Sequence, residues 1–143
     1  MGEIEFYLDT SFLAALLMPE PVSRRAEQFV LAHPEIFLVS DFAAAEFASA
    51  VSRRVRMDEI SRDEGRMILS TFDGWMATVG TAIEVTAADV ALSTSFLRRL
   101  DLPLRTPDAI HIAVTRRTGA RLVSFDRRMV TNAGVLGVEA DGF

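Results

Sequence analysis

Ile4-Glu5-Phe6-Tyr7-Leu8-Asp9-Thr10-Ser11-Phe12-Leu13-Ala14-Ala15-Leu16-Leu17-Met18 is the stretch on which the fold of this 143-residue chain turns. Ile4 to Leu8 is an apolar run rich in β formers and too short for a helix. Phe12 to Met18 reads as helix, so Asp9 stands at the carboxyl end of a strand just where a helix begins. In open α/β sheets that edge is where ligands bind. Capping explains a single carboxylate at a helix start equally well, and Thr10 or Ser11 would serve the same purpose. Three further acids in comparable positions shift the balance.

Outward from this stretch the chain alternates. Pro19-Glu20-Pro21 breaks the first helix, and Val22 to Ala32 resumes as a second. Ile36 to Val39 is a short buried strand, and Ser40-Asp41 offers caps for a long helix from Phe42 to Arg56. Ser61-Arg62-Asp63-Glu64 is a capping box that opens a helix through Met67, Leu69, Phe72 and Trp75. Ile83 to Val85 reads as a third strand, and Thr86 with Asp89 starts the next helix. Thr106-Pro107-Asp108 begins another, with Thr106 as cap and Pro107 at the first helical position. Leu122 to Phe125 is a fourth strand, followed by Asp126 and a short helix, and Val135 to Val138 is read as a fifth. Short apolar strands alternating with helices predict one α/β domain over residues 1–143, with a mainly parallel sheet of four to five strands between helical layers.

Composition excludes several classes of protein. Half the residues are hydrophobic and 24% are charged, which excludes disorder. Charges interrupt every apolar run short of the ~18 residues a membrane span needs, and Met1-Gly2-Glu3 opens no signal peptide. A cytoplasmic protein is the expectation. With no cysteine there is no thiolate site, and with all 15 basic residues arginine there is no lysine-dependent chemistry. A net charge of −5 disfavours nucleic-acid binding by bulk charge, but not a carboxylate pocket ringed by arginines.

Four acids stand out by position. Asp9 and Asp126 each follow a buried strand, and Asp108 lies in the first turn of a helix. Glu46 sits in Phe42-Ala43-Ala44-Ala45-Glu46-Phe47-Ala48, a face otherwise small and apolar, where a charge needs a partner. If they converge, two carboxylates ~5 Å apart repel by roughly 3 kcal/mol at an effective dielectric near ~20. A hard divalent cation removes that penalty, and oxygen-only ligation suits Mg²⁺ or Mn²⁺. Such ions hydrolyse phosphodiesters.

Tyr7-Leu8-Asp9-Thr10-Ser11, the isolated Glu46, Thr106-Pro107-Asp108-Ala109 and Leu122-Val123-Ser124-Phe125-Asp126 resemble, in order and spacing, the four motifs of the PIN-domain ribonucleases. Among these, the VapC-type toxins of bacterial toxin–antitoxin pairs are the nearest likeness. The resemblance implies a PIN-like α/β/α sandwich and an endoribonuclease with Mg²⁺ or Mn²⁺ held by Asp9, Glu46, Asp108 and Asp126. Ser11 matches a hydroxyl position that assists the site. Phe125 departs from the polar residue often found before the last acid, which leaves open whether Asp126 ligates directly or through water. The implied partners are RNA, a cognate antitoxin crossing the acidic cleft, and a second copy in a homodimer or larger assembly.

Arg105 and Arg53 are the candidate phosphate contacts: Arg105 precedes the Thr106 motif, and Arg53 lies two helical turns past Glu46. The pairs Arg98-Arg99, Arg116-Arg117 and Arg127-Arg128 read as solvated faces. His111, between Ile110 and Ile112, reads as a core or supporting residue rather than a base. Asp41, Asp63 and Asp89 are explained as caps. A phosphoacceptor receiver domain would need paired acids after the first strand and a lysine, and this chain has Leu8-Asp9 and no lysine. A haloacid-dehalogenase-like phosphatase would place an Asp where Ser11 stands. A non-catalytic PIN-fold binding module is the remaining alternative.

Overall fold

The computed structural model describes residues 3–143. It opens with β1 (Glu5–Leu8), α1 (Thr10–Leu17), α2 (Ser23–Ala32) and β2 (Ile36–Ser40). Two long helices follow, α3 (Asp41–Arg56) and α4 (Arg62–Thr78), and then β3 (Gly80–Ile83). The chain ends with α5 (Ala87–Leu97), α6 (Thr106–Thr118), β4 (Arg121–Ser124), α7 (Arg127–Val135) and β5 (Ala140–Gly142). The strands form one sheet in the order β3-β2-β1-β4-β5, and every neighbouring pair is parallel.

Strand alternation divides the core between two faces. Phe6, Leu8, Phe37, Val39 and Val123 pack toward the first four helices. Tyr7, Leu38 and Leu122 face the other way, onto residues of the last three helices, among them Phe96, Ile112 and Met129. From β1 the chain steps outward through β2 to β3, and then returns to place β4 on the opposite side of β1. The crevice between the carboxyl ends of β1 and β4 is therefore the switch point at which open α/β sheets bind ligands.

Three sequence-based boundaries move. The third strand is Gly80–Ile83, not Ile83–Val85. Pairing with β2 runs from Phe37 with Gly80 to Ser40 with Ile83. Val85 has already left the ladder, its N–H donating to Asp41 Oδ1 at 3.0 Å. The fifth strand is Ala140–Gly142, not Val135–Val138. Helix α7 runs on to Val135, and the chain turns at Gly137, with φ 78, before pairing with β4. An edge strand needs only backbone pairing, and the Arg121 guanidinium holds Asp141 at 2.9 Å, so a polar segment serves. The cap of α6 is Arg105 rather than Thr106, which puts Thr106 and Pro107 inside the first turn.

Two side chains read as surface features belong to the packing between α5 and α6. Asp89 completes the capping box with Thr86, yet it is only 1% exposed and accepts from Arg117 Nε at 2.7 Å. Burial works against its charge, but the hydrogen bonds from Arg117 and Thr86 outweigh it and hold its pKa below the usual carboxylate value. Arg117 is thus not one of a free pair. In α4, Phe72 is buried and stacks on Phe47 with ring centroids 4.9 Å apart, whereas Met67 is 70% exposed.

Helices α3 and α4 approach closely at Gly65, where an added Cβ would come within 2.9 Å of Val55 Cγ2. Valine is stiff at χ1 and yields little. Gly65→Ala should lower the melting temperature, since overpacking costs about 1–3 kcal/mol against the ~1 kcal/mol gained in helix propensity. Gly74→Ala, on the same helix with nothing within 4 Å, should raise it. Thermal melts of both variants check this, and an unchanged or higher value for Gly65→Ala would show that α3 can yield.

Candidate active site at the carboxyl edge of the sheet

Register builds the floor of the crevice. Leu8 pairs with Val123, so the next residues, Asp9 and Ser124, lie side by side. Ser124 Oγ donates to Asp9 Oδ2 at 2.5 Å, and Ser11 Oγ donates to Asp9 Oδ1 at 2.7 Å. The N–H of Phe12 reaches the same Oδ1 at 2.9 Å, so Asp9 also caps α1. Ser11 Oγ in turn accepts from the N–H of Phe125 at 3.1 Å, tying the end of β4 to the start of α1. Asp9 is 2% exposed. Burial pushes its carboxyl above the ordinary pKa, and the hydrogen bonds from Ser124 and Ser11 oppose this without cancelling it.

Glu46 enters from α3. Its Oε1 accepts from Thr10 Oγ1 at 2.7 Å and lies 2.6 Å from His111 Nε2. Burial works against the Glu46 carboxylate as well. Here the hydrogen bonds from His111 and Thr10 prevail and hold its pKa below the usual value. The contact joins the two helical layers over the edge of the sheet, since α3 and α6 cover opposite faces.

Asp108 and Asp126 complete the set. Asp108, half-buried in the first turn of α6 and three residues ahead of His111, accepts from the N–H of Arg105 through Oδ2 at 3.4 Å. Asp126 caps α7, its Oδ1 accepting from the N–H groups of Arg128 and Met129 at 3.0 and 3.3 Å. Glu46, Asp108 and Asp126 thus share a pattern. One oxygen is tied to the scaffold, and the other makes no hydrogen bond among the described residues. Among those residues, no three acid or histidine side chains close on a common point as a preformed metal cage would. The donor chemistry still fits a hard divalent cation: carboxylate oxygens only, three of them unengaged, together with the buried Asp9, whose hydrogen bonds come from two hydroxyls and one backbone N–H rather than from a cationic side chain.

The two arginines stand apart from this floor. Arg105 is exposed at the cap of α6. Arg53 is exposed in the last turn of α3, about 10 Å along the axis from Glu46 at 1.5 Å per residue. Sequence reasoning passed over Thr10, Tyr7, Ser40 and Ser124 as parts of the site. One signal was available: Tyr7 is the chain's single tyrosine and lies in a strand read as buried, where a hydroxyl must find a partner.

A family model described as the PIN domain matches residues 6–135. The chain belongs to the PIN domain family. This PIN domain is 26% identical over 126 residues to Ribonuclease VapC3 of Pyrobaculum aerophilum, spanning 88% of this chain and 92% of that protein. Among solved structures it superposes on Mycobacterium tuberculosis VapC20, a sarcin-ricin loop cleaving toxin, with a TM-score of 0.72 and 24% identity. That match covers 88% of this chain and 93% of the other. The DNA-bound VapBC of Salmonella typhimurium gives a TM-score of 0.72 at 15% identity, over 97% of this chain and 98% of that one. At such identities the structural likeness speaks for the fold. No helix among the described residues is long and apolar enough to cross a membrane.

The raised pKa of Asp9 sets a sign for stability against pH. The folded state holds its proton more tightly than the unfolded state, so this carboxyl costs stability as pH rises from the ordinary carboxylate value to the raised one. Asp9→Asn lacks that cost and is nearly isosteric. In chelator, the melting temperature of Asp9→Asn relative to wild type should climb as pH rises from the ordinary carboxylate value to the raised one and level off above it. A difference that is flat with pH would mean Asp9 titrates normally.

Proposed function

We propose that this PIN domain is a metal-dependent endoribonuclease and the toxin of a VapC-type toxin–antitoxin pair acting in the cytoplasm. The observation that carries the reading is the switch-point crevice: Asp9 and Asp126 follow adjacent parallel strands there, and Glu46 reaches Thr10, the residue after Asp9. The likeness to Ribonuclease VapC3 supports the activity. Asp9, Glu46, Asp108 and Asp126 would hold Mg²⁺ or Mn²⁺, which when bound polarises a phosphodiester and acidifies a water for attack.

The chain's own residues do the rest. Ser11 and Ser124 hold the Asp9 carboxylate at the floor of the crevice. The unengaged oxygens of Glu46, Asp108 and Asp126 supply negative charge around it. Arg105, exposed beside Asp108, meets an RNA phosphate near the cleavage point, and Arg53 one farther along the strand.

An active nuclease of this kind needs restraint, and an antitoxin segment carrying a basic side chain would pair with Asp9 or Asp108 in the cleft. A groove between α3 and α4, floored by Val51, Val55 and Leu69 and edged by Arg56, Arg62 and Arg66, suits an amphipathic segment of that partner. Association of two such copies, with or without antitoxin, belongs to the same reading.

Metal and acids are tested together. Mn²⁺ should raise the melting temperature of wild type, because a ligand of the native state alone stabilises it. Asp9→Asn should abolish RNA cleavage. Glu46→Gln should cut cleavage steeply, with part recovered at high Mn²⁺, while Glu64→Gln, a capping-box acid of α4, should leave activity alone and cost modest stability. Cleavage rates across a Mn²⁺ titration decide. Coincident curves for wild type and Glu46→Gln would take Glu46 out of the site.

A further inference from the structure

Glu46 does not hold its position alone. It is a flexible side chain with three torsions, on a helix face of alanines that offers it little lateral support. Thr10 from α1 and His111 from α6 both engage the same oxygen, Oε1, at 2.7 and 2.6 Å. Two donors from different elements on one oxygen fix the carboxylate and leave Oε2 unengaged.

His111 is itself fixed from behind. Its Nδ1 lies 2.6 Å from the Tyr7 hydroxyl, which lies 2.8 Å from Ser40 Oγ. Ser40 Oγ accepts from the N–H of Ala43 at 3.0 Å, at the start of α3. One direction of donation satisfies every member. A carboxylate only accepts, so His111 Nε2 carries the hydrogen and donates to Glu46. With the imidazole neutral, Nδ1 accepts, so the Tyr7 hydroxyl donates to it and accepts from Ser40. Tyr7 is fully buried and His111 is 2% exposed, so neither touches a substrate.

We propose that His111 is a positioning residue for Glu46, oriented by the Tyr7–Ser40 chain so that one carboxylate oxygen is pinned and the other is presented to the metal. The proposal rests on the metal-dependent reading above. It assigns the buried His111-Tyr7-Ser40 chain a role in metal binding rather than in packing alone. Groups that orient metal ligands in this way commonly govern affinity, and their loss costs on the order of 10- to 100-fold.

The two amide replacements of His111 separate positioning from packing. The amide of Gln falls near the place of Nε2, and that of Asn near the place of Nδ1. His111→Gln keeps a donor to Glu46 and loses the link to Tyr7, whereas His111→Asn does the reverse. Mn²⁺ dissociation constants, read from the electron paramagnetic resonance of free Mn²⁺ on the full chain, are measured beside melting temperatures in chelator. Positioning requires His111→Asn to lose about tenfold or more in Mn²⁺ affinity, with His111→Gln, which keeps the donor but not the link to Tyr7, losing less. Tyr7→Phe, which frees Nδ1 without touching Glu46, should also lose affinity. Variants that melt lower but bind Mn²⁺ like wild type overturn the positioning role and leave the metal site standing. If His111→Asn fails to fold, unchanged Mn²⁺ affinity in Tyr7→Phe overturns it instead. Wild type that binds no Mn²⁺ removes the metal-dependent reading and this proposal together.

Discussion

The burial of Asp9 at the end of the central strand is the constraint on which the rest of this structure depends. A carboxylate that is 2% exposed is tolerated only if its oxygens are met. Three donors meet them: Ser124 from β4, Ser11 from α1 and the N–H of Phe12. Each contact is also a joint of the fold. Ser124 reaches Asp9 only because Leu8 is in register with Val123, so a one-residue slip of β4 would turn Ser124 to the other face and strand the charge. The site and the pairing at the middle of the sheet are therefore one arrangement.

The same economy recurs at two of the other acids. Each is anchored by a feature that the local fold requires anyway: Asp126 by capping α7 and Asp108 by the first turn of α6. A helix start satisfies one oxygen of a carboxylate with backbone N–H groups and leaves the other available. Capping and ligation are thus compatible roles for one residue, and the choice between them posed by the sequence at Asp9 does not have to be made.

Glu46 is the exception, because nothing on its own helix holds it. Its support comes from α1 and from α6, which lie far away in sequence and cover opposite sides of the sheet. The position of this one acid therefore depends on the packing of both helical layers, whereas Asp9 depends on strand register.

The local pattern of the chain carried most of the fold. The apolar run Ile4 to Leu8 ending on Asp9, the capping boxes at Ser61 and Thr86, and the strand before Asp126 all lie where periodicity and capping chemistry put them. The four acids were visible as well, because a charge at a strand end or on an alanine face is conspicuous in sequence. The sequence did not reveal which strand lies beside which. That order alone makes the ends of β1 and β4 a crevice. Nor did β propensity set the bounds of β3 or β5, where pairing partners rather than apolar residues fix the limits. The chain from Ser40 through Tyr7 and His111 to Glu46, and the pairing of Asp89 with Arg117, lay beyond it too. Periodicity assigns a side chain to a face, but a hydrogen bond needs two atoms within about 3 Å, and for residues 28 to 104 positions apart only the packing of the layers supplies that.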